Sequence, residues 1–460
     1  MILNGNPFRT FLHFALPNIL GMLALSSAQL IDAFFIGRYI GAAELAAVNI
    51  VFPVFSFLFG VSVMLSAGGG VMCAKYIGEK KIGKASEIFT ATLVSVLAFV
   101  FFFSFVFLIF PGPVARLLGA DETMEPFAAV YLFYTSFFLV FFIASHTLGT
   151  FLKIEERPVF VFKVMLAGAA ANIFLDWLLI VRLAQGVTGA ALGTGIAELL
   201  MSVLLFPYFL TPECRLKFVR LGRKVPKKIA KACYNGFSEL VNEFSVGFTS
   251  VIFNWMMVIN IGVAGVAAYS VINYVFWFGV IFSYAIGETL TPLVGTNYGA
   301  QKHRRIREFL RIALISGEAI STLLFLVLLF RPQWAVLMFL RPEETEAVAL
   351  SLRFIDIAKW AFFFNGFNII LASFFTAMHR PAESAVIASL RSLLLPVLFL
   401  FTLPSLMGEE GLFASVPAAE ILTFMTGILL FFRLHRRWKA EREARRRGIV
   451  NAPARPRPPS

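Results

Sequence analysis

Two aspartates in long apolar runs lie at a similar depth and are candidates for an ion-binding pair. Asp32 lies six residues before Arg38, and Asp176 lies six residues before Arg182, where each apolar run ends. At 1.5 Å per residue in a helix, each carboxyl group lies about 9 Å inside the end of its run. An acid at the centre of a membrane-spanning helix costs about 2.5–3.5 kcal/mol on insertion scales, so such a residue is a functional candidate.

Two further polar residues complete this group. Asn172 is one helical turn before Asp176 and shares its face, and Thr194 lies at a similar depth, eight residues after Gly186. Two carboxylates in a low-dielectric pocket resist double ionisation, so the pair could take up and release a proton near neutral pH. With the amide and hydroxyl oxygens, the ionised pair could instead hold Na⁺. A structural network that joins the helices is the third interpretation of the same spacing.

Other acids also fall within predicted spans. They are Glu198, Glu239, Glu243, Glu288, Glu318, Asp356 and Glu420. Glu239 and Glu243, one turn apart, are candidate cleft residues that attract a cationic substrate, or they mark only a water-filled vestibule. Asp356 lies three residues from Arg353 and from Lys359, the two basic residues that we assign to the spans, so a local ion pair is favoured.

Pro17 interrupts the first apolar run, fifteen residues before Asp32. A proline within a helix leaves a carbonyl group without its amide partner and favours a kink. Pro17 is therefore a candidate hinge that would move the part of the helix that carries Asp32. A static kink is the alternative.

The composition places these residues in a membrane protein. Of 460 residues, 59% are hydrophobic and 15% are charged, whereas soluble domains carry about 25% charged residues, which excludes a soluble enzyme. Apolar runs of about 20 residues, enough to cross a bilayer, recur twelve times and are too long for barrel strands. The fold class is therefore predicted to be all-α and integral to the membrane. The predicted spans are 10–36, 46–74, 86–110, 126–150, 159–181, 187–210, 232–260, 266–296, 308–330, 347–377, 385–404 and 412–433.

Basic residues orient these spans. Most of the 40 Lys and Arg residues fall on one side, and the other side has Arg38, Arg116, Arg182, Arg331 and Arg341. Because cytoplasmic loops carry the excess of basic residues, we predict a multi-pass protein of the cell membrane with both termini cytoplasmic. The first run is taken as an uncleaved span and not as a signal peptide, because it is too long. The net charge of +13 is spread over loops between helices, which argues against nucleic-acid binding.

The sequence also repeats. At a shift of 221 residues, Gly78 falls on Gly299, and at a shift of 222, Glu198 falls on Glu420. The repeat predicts two pseudo-symmetric six-helix bundles of the same orientation. Symmetry favours a shared structural role for Glu198 and Glu420 over ion coupling.

The repeat sets the predicted domain limits. The two bundles are residues 1–210 and 232–435, and a basic cytoplasmic linker, 211–231, joins them. The tail 436–460, rich in Arg and then Pro, is predicted to be disordered.

Motifs for other chemistry are absent from the sequence. It has no phosphate-binding loop, no HExxH pattern and no paired cysteines, and its five histidines and three cysteines are scattered. We therefore expect no enzyme activity, no cofactor other than the coupling ion, and no metal apart from Na⁺ at the acidic group. A monomer in contact with membrane lipid is expected.

Several segments, in this order and spacing, resemble the MATE family (multidrug and toxic compound extrusion) over about residues 8–435. They are 31–37 (IDAFFIG), 45–49 (LAAVN), 171–177 (ANIFLDW), 189–194 (GAALGT), 267–271 (AAYSV) and 297–300 (NYGA). The resemblance implies a V-shaped pair of bundles. It also implies alternating-access efflux of cationic or amphipathic organic compounds in exchange for H⁺ or Na⁺. The residues that would couple the ion, Asp32, Asn172, Asp176 and Thr194, match the DinF-like branch position by position.

The sequence departs from other branches at three positions. Asn365 stands where the NorM-like branch has an aspartate, which puts a second Na⁺ site in doubt and leaves Asn365 as a candidate cleft residue. Ser238 replaces a proline of many members, and Glu243 does not align with the NorM-like glutamate. The rival functions are a lipid-linked sugar flippase of the same superfamily and an integral-membrane enzyme. The first would have extra C-terminal helices and a basic cavity, and the second an interfacial cluster of histidines or acids.

Overall fold

A computed structural model describes residues 1–446, and within this range the chain is almost entirely helical and contains no β-strand. The prediction of an all-α membrane protein is confirmed. Many helices begin with a proline in their first turn, as at Pro7, Pro158 and Pro381. Proline suits this position because the first amides of a helix have no intrahelical partner.

The first half of the chain contains seven helices. They are α1 (Pro7–Phe35), α2 (Ala42–Gly78), α3 (Ile82–Ile109), α4 (Pro111–Leu117), α5 (Glu125–Ile154), α6 (Pro158–Asp176) and α7 (Gly186–Leu205). Helix α1 continues as a π-helical turn over Ile36–Ile40, and α6 continues as another over Trp177–Arg182. The 3-10 turn Phe206–Leu210 follows α7.

The second half contains nine. They are α8 (Val225–Asn260), α9 (Val263–Gly299), α10 (His303–Phe330), α11 (Pro332–Leu337), α12 (Thr345–Ala358), α13 (Phe362–Ala377), α14 (Pro381–Ser389), α15 (Leu395–Met407) and α16 (Glu409–Arg446). A 3-10 turn, Lys359–Ala361, joins α12 to α13, and a π-helical turn, Leu390–Leu394, joins α14 to α15.

Ten helical segments of residues 1–446 are long and apolar enough to cross a membrane. The other two predicted spans, 232–260 and 347–377, correspond to α8 and to α12 with α13. These segments are less apolar because α8 carries Glu239 and Glu243, and a turn at Lys359 separates α12 from α13. Both nevertheless pack within the helical assembly, α8 against α2 and α12 against α9.

The backbone repeats as the sequence does. Residues with positive φ end or begin helices at matching places: Gly41 and Gly262, Lys80 and Gln301, Glu156 and His379, Gly186 and Gly408. Each pair is separated by 221 to 223 residues. The turns between helices are therefore built the same way in both halves.

Each half of the chain buries side chains in a hydrophobic cluster of the other half. Ile2, Phe11 and Phe14 of the first half are buried in a cluster formed mainly by α9, α10 and α13. In the opposite sense, Ala232 of α8 is buried in a cluster formed mainly by α2, α3 and α5. Helices α1 and α8 thus each begin against the other half of the chain.

One close approach between the halves lies at the basic end, which we define as the end that carries Lys75, Lys153 and Lys302. A Cβ atom on Gly78 of α2 would overlap the carbonyl oxygen of Thr296, and one on Gly299 of α9 would overlap that of Lys75. Glycine is therefore required at this crossing, where the two backbones touch. The other end of the molecule, with Arg38 and Arg182, is called the opposite end.

Helix α1 passes Pro17 without interruption and changes to a π-helical turn only after Phe35, so the hinge at Pro17 stays a prediction. Helix α16 continues to Arg446, past the predicted start of a disordered tail at residue 436. The rest of that predicted tail, 447–460, lies outside the described residues.

Candidate functional site

Asp176 is fully buried at the end of α6. Neither of its carboxylate oxygens has a hydrogen-bond partner within residues 1–446. The carboxylate lies directly against α7, because a Cβ atom on Gly193 would overlap Asp176 Oδ1. Glycine at this position creates the space that the carboxylate occupies. Burial without a donor is costly for an ionised carboxylate, so this environment favours a group that is neutral or bound to a cation.

Asp32 of α1 lies beside Asp176. The two carboxyl groups are within electrostatic range of each other and of the Tyr131 hydroxyl on α5. Asp32 is half-buried, and its Oδ1 atom also lacks a hydrogen-bond partner in the described part of the chain. Two acids with few donors therefore share one pocket between α1, α6 and α7.

Asn172 and Thr194 line the same pocket. Asn172 Nδ2 donates to Thr194 Oγ1 at 3.4 Å and so links α6 to α7. The structure thus brings together the four residues that the sequence placed at one depth, although the amide and the hydroxyl bond to each other and not to the acids.

A π-helical turn follows each aspartate, four residues after Asp32 and directly after Asp176. Such turns insert a residue into the helical hydrogen-bond ladder and are frequent at functional sites. The two turns contact each other. Sequence reasoning missed them, since the apolar pattern continues through both.

A cavity of ≈ 220 Å³ lies at the opposite end, next to these turns. Its lining comes from the end of the first π-helical turn and from the starts of α2, α5 and α7, and it includes Ile40, Glu44, Phe127, Gln185 and Thr188. Neither Asp32 nor Asp176 is among the residues that line this cavity.

A second group of acids lies where the halves meet. Glu239 and Glu243 of α8 are within electrostatic range of Glu288 on α9. Glu288 Oε2 accepts hydrogen bonds from Lys153 Nζ at 2.8 Å and from Asn18 Nδ2 at 3.2 Å. Sequence reasoning identified neither partner, and both come from the first half of the chain.

Asn365, a predicted cleft residue, is buried in a closed network. Its Nδ2 atom donates to Glu420 Oε1 at 2.7 Å, and Asn368 Nδ2 donates to Glu420 Oε2 at 2.7 Å. Arg391 Nε adds a third bond, to Glu420 Oε1 at 3.1 Å. The side-chain amide of Asn365 is thus committed to Glu420.

Arg391 corrects the inventory of charge inside the spans. It lies within the predicted span 385–404, where its side chain is 10% exposed, so the assignment of only Arg353 and Lys359 to the spans was wrong. Its place in the π-helical turn between α14 and α15 turns it toward Glu420. The predicted ion pair between Asp356 and Lys359 is confirmed.

The MatE family model matches the chain twice, over residues 17–178 and 240–402. One match lies in each half, in agreement with the internal repeat. Together the two matches cover more than half of the chain.

The chain is similar to proteins named multidrug export protein MepA. The Staphylococcus aureus protein is 23% identical over 439 residues, which are 94% of this chain and 94% of that protein. The Staphylococcus haemolyticus protein is 23% identical over 436 residues, again 94% of each chain.

Solved transporter structures share the fold. A variant of the Vibrio cholerae MATE transporter VcmN superposes with a TM-score of 0.86 at 21% identity, covering 94% of this chain and 97% of that chain. A MOP-superfamily transporter from Pyrococcus furiosus superposes with a TM-score of 0.84 at 20% identity, covering 93% and 96%.

Proposed function

The chain belongs to the MatE family, and from this premise we propose that it exports cationic or amphipathic organic compounds in exchange for an entering cation. The substrate class is supported by the names of the relatives, which are multidrug export proteins. It is also supported by the acids Glu239, Glu243 and Glu288 at the junction of the halves.

The observation that carries the coupling proposal is the bare, buried carboxylate of Asp176 next to Asp32. Such a pair gains most from a ligand that neutralises it. A proton does so without further ligands, so we propose H⁺ as the driving ion. Na⁺ is the alternative, with Asn172 and Thr194 supplying additional oxygens.

The transport step is proposed to be alternating access between the pseudo-symmetric halves. The glycine crossing brings the backbones of α2 and α9 into contact at the basic end, which supports an arrangement that is closed there. Neutralisation of the aspartate pair would change the cost of burying it, and so would bias the equilibrium between this arrangement and one that is open at the basic end.

The basic end is proposed to face the cytoplasm, with both termini there, because Lys and Arg mark cytoplasmic loops. The protein is proposed to act as a monomer in the cell membrane. Within the family we propose a place near the DinF-like branch, on the match of the four pocket residues alone.

The test is efflux of a fluorescent organic cation such as ethidium from proteoliposomes that contain the full chain. An imposed pH gradient and an imposed Na⁺ gradient are applied in separate experiments. We expect Asp32→Asn and Asp176→Asn to lower gradient-driven efflux at least about tenfold with normal membrane insertion. Glu343→Gln, at an exposed acid, is the matched control and should behave as wild type.

Full activity in both aspartate variants would remove the ion-coupling assignment. A wild-type protein that responds to neither gradient would remove the antiporter proposal itself. A response to Na⁺ alone would replace H⁺ by Na⁺ as the driving ion.

A further inference from the structure

Glu198 and Glu420 occupy the same position of the repeat, on α7 and on α16, yet the structure gives them different partners. Glu420 is 4% exposed and accepts from Asn365, Asn368 and Arg391. Its charge is therefore neutralised by Arg391 and held in place.

Glu198 lacks every one of these nitrogen donors. Its Oε2 atom accepts a hydrogen bond from Ser145 Oγ at 2.8 Å, and the structure shows no basic side chain bonded to it within residues 1–446. The turns before α6 and α14 align Arg157-Pro158 with Arg380-Pro381, at a shift of 223. The same shift places Ser145 on Asn368, so one hydroxyl replaces an amide in the first half.

The position that corresponds to Arg391 is Gly168 of α6. A Cβ atom there would overlap the Sδ atom of Met201, which belongs to α7. Met201 is buried and lies three residues after Glu198. The first half therefore fills with a thioether the place where the second half has a guanidinium group.

Glu198 also lies where it could receive a proton from the aspartate pocket. It is one helical turn after Thr194 on α7, on the same face, and α7 runs from the opposite end toward the basic end. A proton that leaves the pocket toward the basic end would thus meet Glu198 next.

The other titratable and charged groups on the elements packed against α7 are less well placed than Glu198 to receive a proton from the aspartate pocket. At the level of Glu198 the group is His146 of α5, which packs on Phe59. Asp176 of α6 lies against Gly193, five residues nearer the opposite end. Lys153 and Lys163 lie nearer the basic end, and Tyr131 and Arg182 nearer the opposite end. Lys153 is paired with Glu288.

We propose that Glu198 is a second proton-binding residue of the transport cycle. It accepts the proton released by the Asp32–Asp176 pair, holds it as a carboxylic acid bonded to Ser145, and gives it to water at the basic end. This inference rests on the proposed H⁺-driven function. It gives a role in proton transfer to a residue for which the sequence repeat favoured a structural role.

The decisive experiment introduces a basic side chain next to Glu198, which bonds to none in the described part of the chain. Met201→Lys places an ammonium group three residues from Glu198 and should hold Glu198 ionised by forming an ion pair with it, comparable to the pair of Arg391 with Glu420. We expect pH-gradient-driven ethidium efflux to fall at least about tenfold, while exchange of ethidium without a gradient persists. Met201→Leu, which fills the same space without charge, should retain wild-type efflux.

Two variants of Glu198 itself keep the proposal testable if the Met201→Lys protein does not insert. Glu198→Gln preserves a bond to Ser145 but cannot release a proton, so it should lose coupling, and Glu198→Asp should recover part of it. Wild-type rate and pH profile in Glu198→Gln would overturn the proposal, whatever Met201→Lys does. If wild-type protein shows no pH-driven efflux, the proposed function fails first, and the two failures are distinguishable.

Discussion

Asp176 and Glu420 are both buried carboxylates of the helical interior, but their surroundings are opposite. Glu420 accepts from two amides and a guanidinium group, whereas both oxygens of Asp176 have no donor within residues 1–446. A bonded carboxylate contributes to helix packing. A bare one is unfavourable when ionised and so can respond to an arriving cation.

The close contact of Asp176 with Gly193 gives a residue-scale prediction. Gly193→Ala must displace the carboxylate, because the new Cβ atom would overlap Oδ1. We expect gradient-driven efflux to fall at least about tenfold, although Gly→Ala within a helix normally stabilises it by about 0.5–1 kcal/mol.

The matched control is Gly247→Ala on α8, where no atom lies within 4 Å of the added Cβ position. It should leave efflux unchanged. Wild-type efflux in Gly193→Ala would mean that the position of the carboxylate against α7 is unimportant.

Two kinds of element geometry shape the site. The π-helical turns after Asp32 and Asp176 realign the ends of their helices, and the glycine crossing brings the backbones of α2 and α9 together at the basic end. The first feature was not predicted, because a π-helical turn leaves hydropathy unchanged. The glycines of the second were found through the repeat, but their contact was not.

The crossing leads to an element-scale prediction. Gly78→Ala or Gly299→Ala should push α2 and α9 apart and favour opening of the basic end. The reporter is maleimide labelling of Thr296→Cys, at a position that is 2% exposed, in a chain without Cys73, Cys214 and Cys233. We expect labelling to rise about fivefold or more, which corresponds to about 1 kcal/mol.

Gly83→Ala is the control for this experiment, since nothing lies within 4 Å of its added Cβ position. It should leave the labelling rate unchanged. Equal labelling in the Gly78→Ala, Gly299→Ala and control proteins would show that the crossing does not hold the basic end closed.

At the scale of the whole molecule, an ion pair ties the halves together. Lys153 of α5 and Glu288 of α9 meet at 2.8 Å, and the Lys153 side chain is 16% exposed. Asn18 of α1 adds a bond to the same carboxylate. The Glu288 side chain is 38% exposed, so the pair is half-buried. Changing one partner leaves the other charge without compensation, which is more costly here than at a fully exposed pair.

We therefore predict that Lys153→Glu and Glu288→Lys each increase labelling of the Thr296→Cys reporter and lower efflux. The double variant, which restores the pair in reverse, should recover much of both. If the defects of the double variant equal the sum of the defects of the two single variants, a direct interaction between the two residues is contradicted.

The exposed pair Arg304–Glu308 on α10 offers a control within the same protein. The Arg304 side chain is 89% exposed, and exposed pairs contribute only about 0–1 kcal/mol. Arg304→Glu should therefore change neither reporter labelling nor efflux.

The sequence alone was sufficient for the membrane class, the helical fold, the repeat and the depth of the four pocket residues. Hydropathy, the distribution of basic residues and residue spacing are properties of the linear sequence, so they can be determined without knowledge of how the helices pack. Only the tertiary structure decided which acids of the predicted spans are compensated. Glu420 meets Arg391, Glu288 meets Lys153, Asp356 meets Lys359, and Asp176 and Glu198 meet no basic side chain among the described residues. Apart from the local pair of Asp356, such pairings depend on how helices distant in sequence rotate toward one another, and a buried charge is stable or responsive according to that contact.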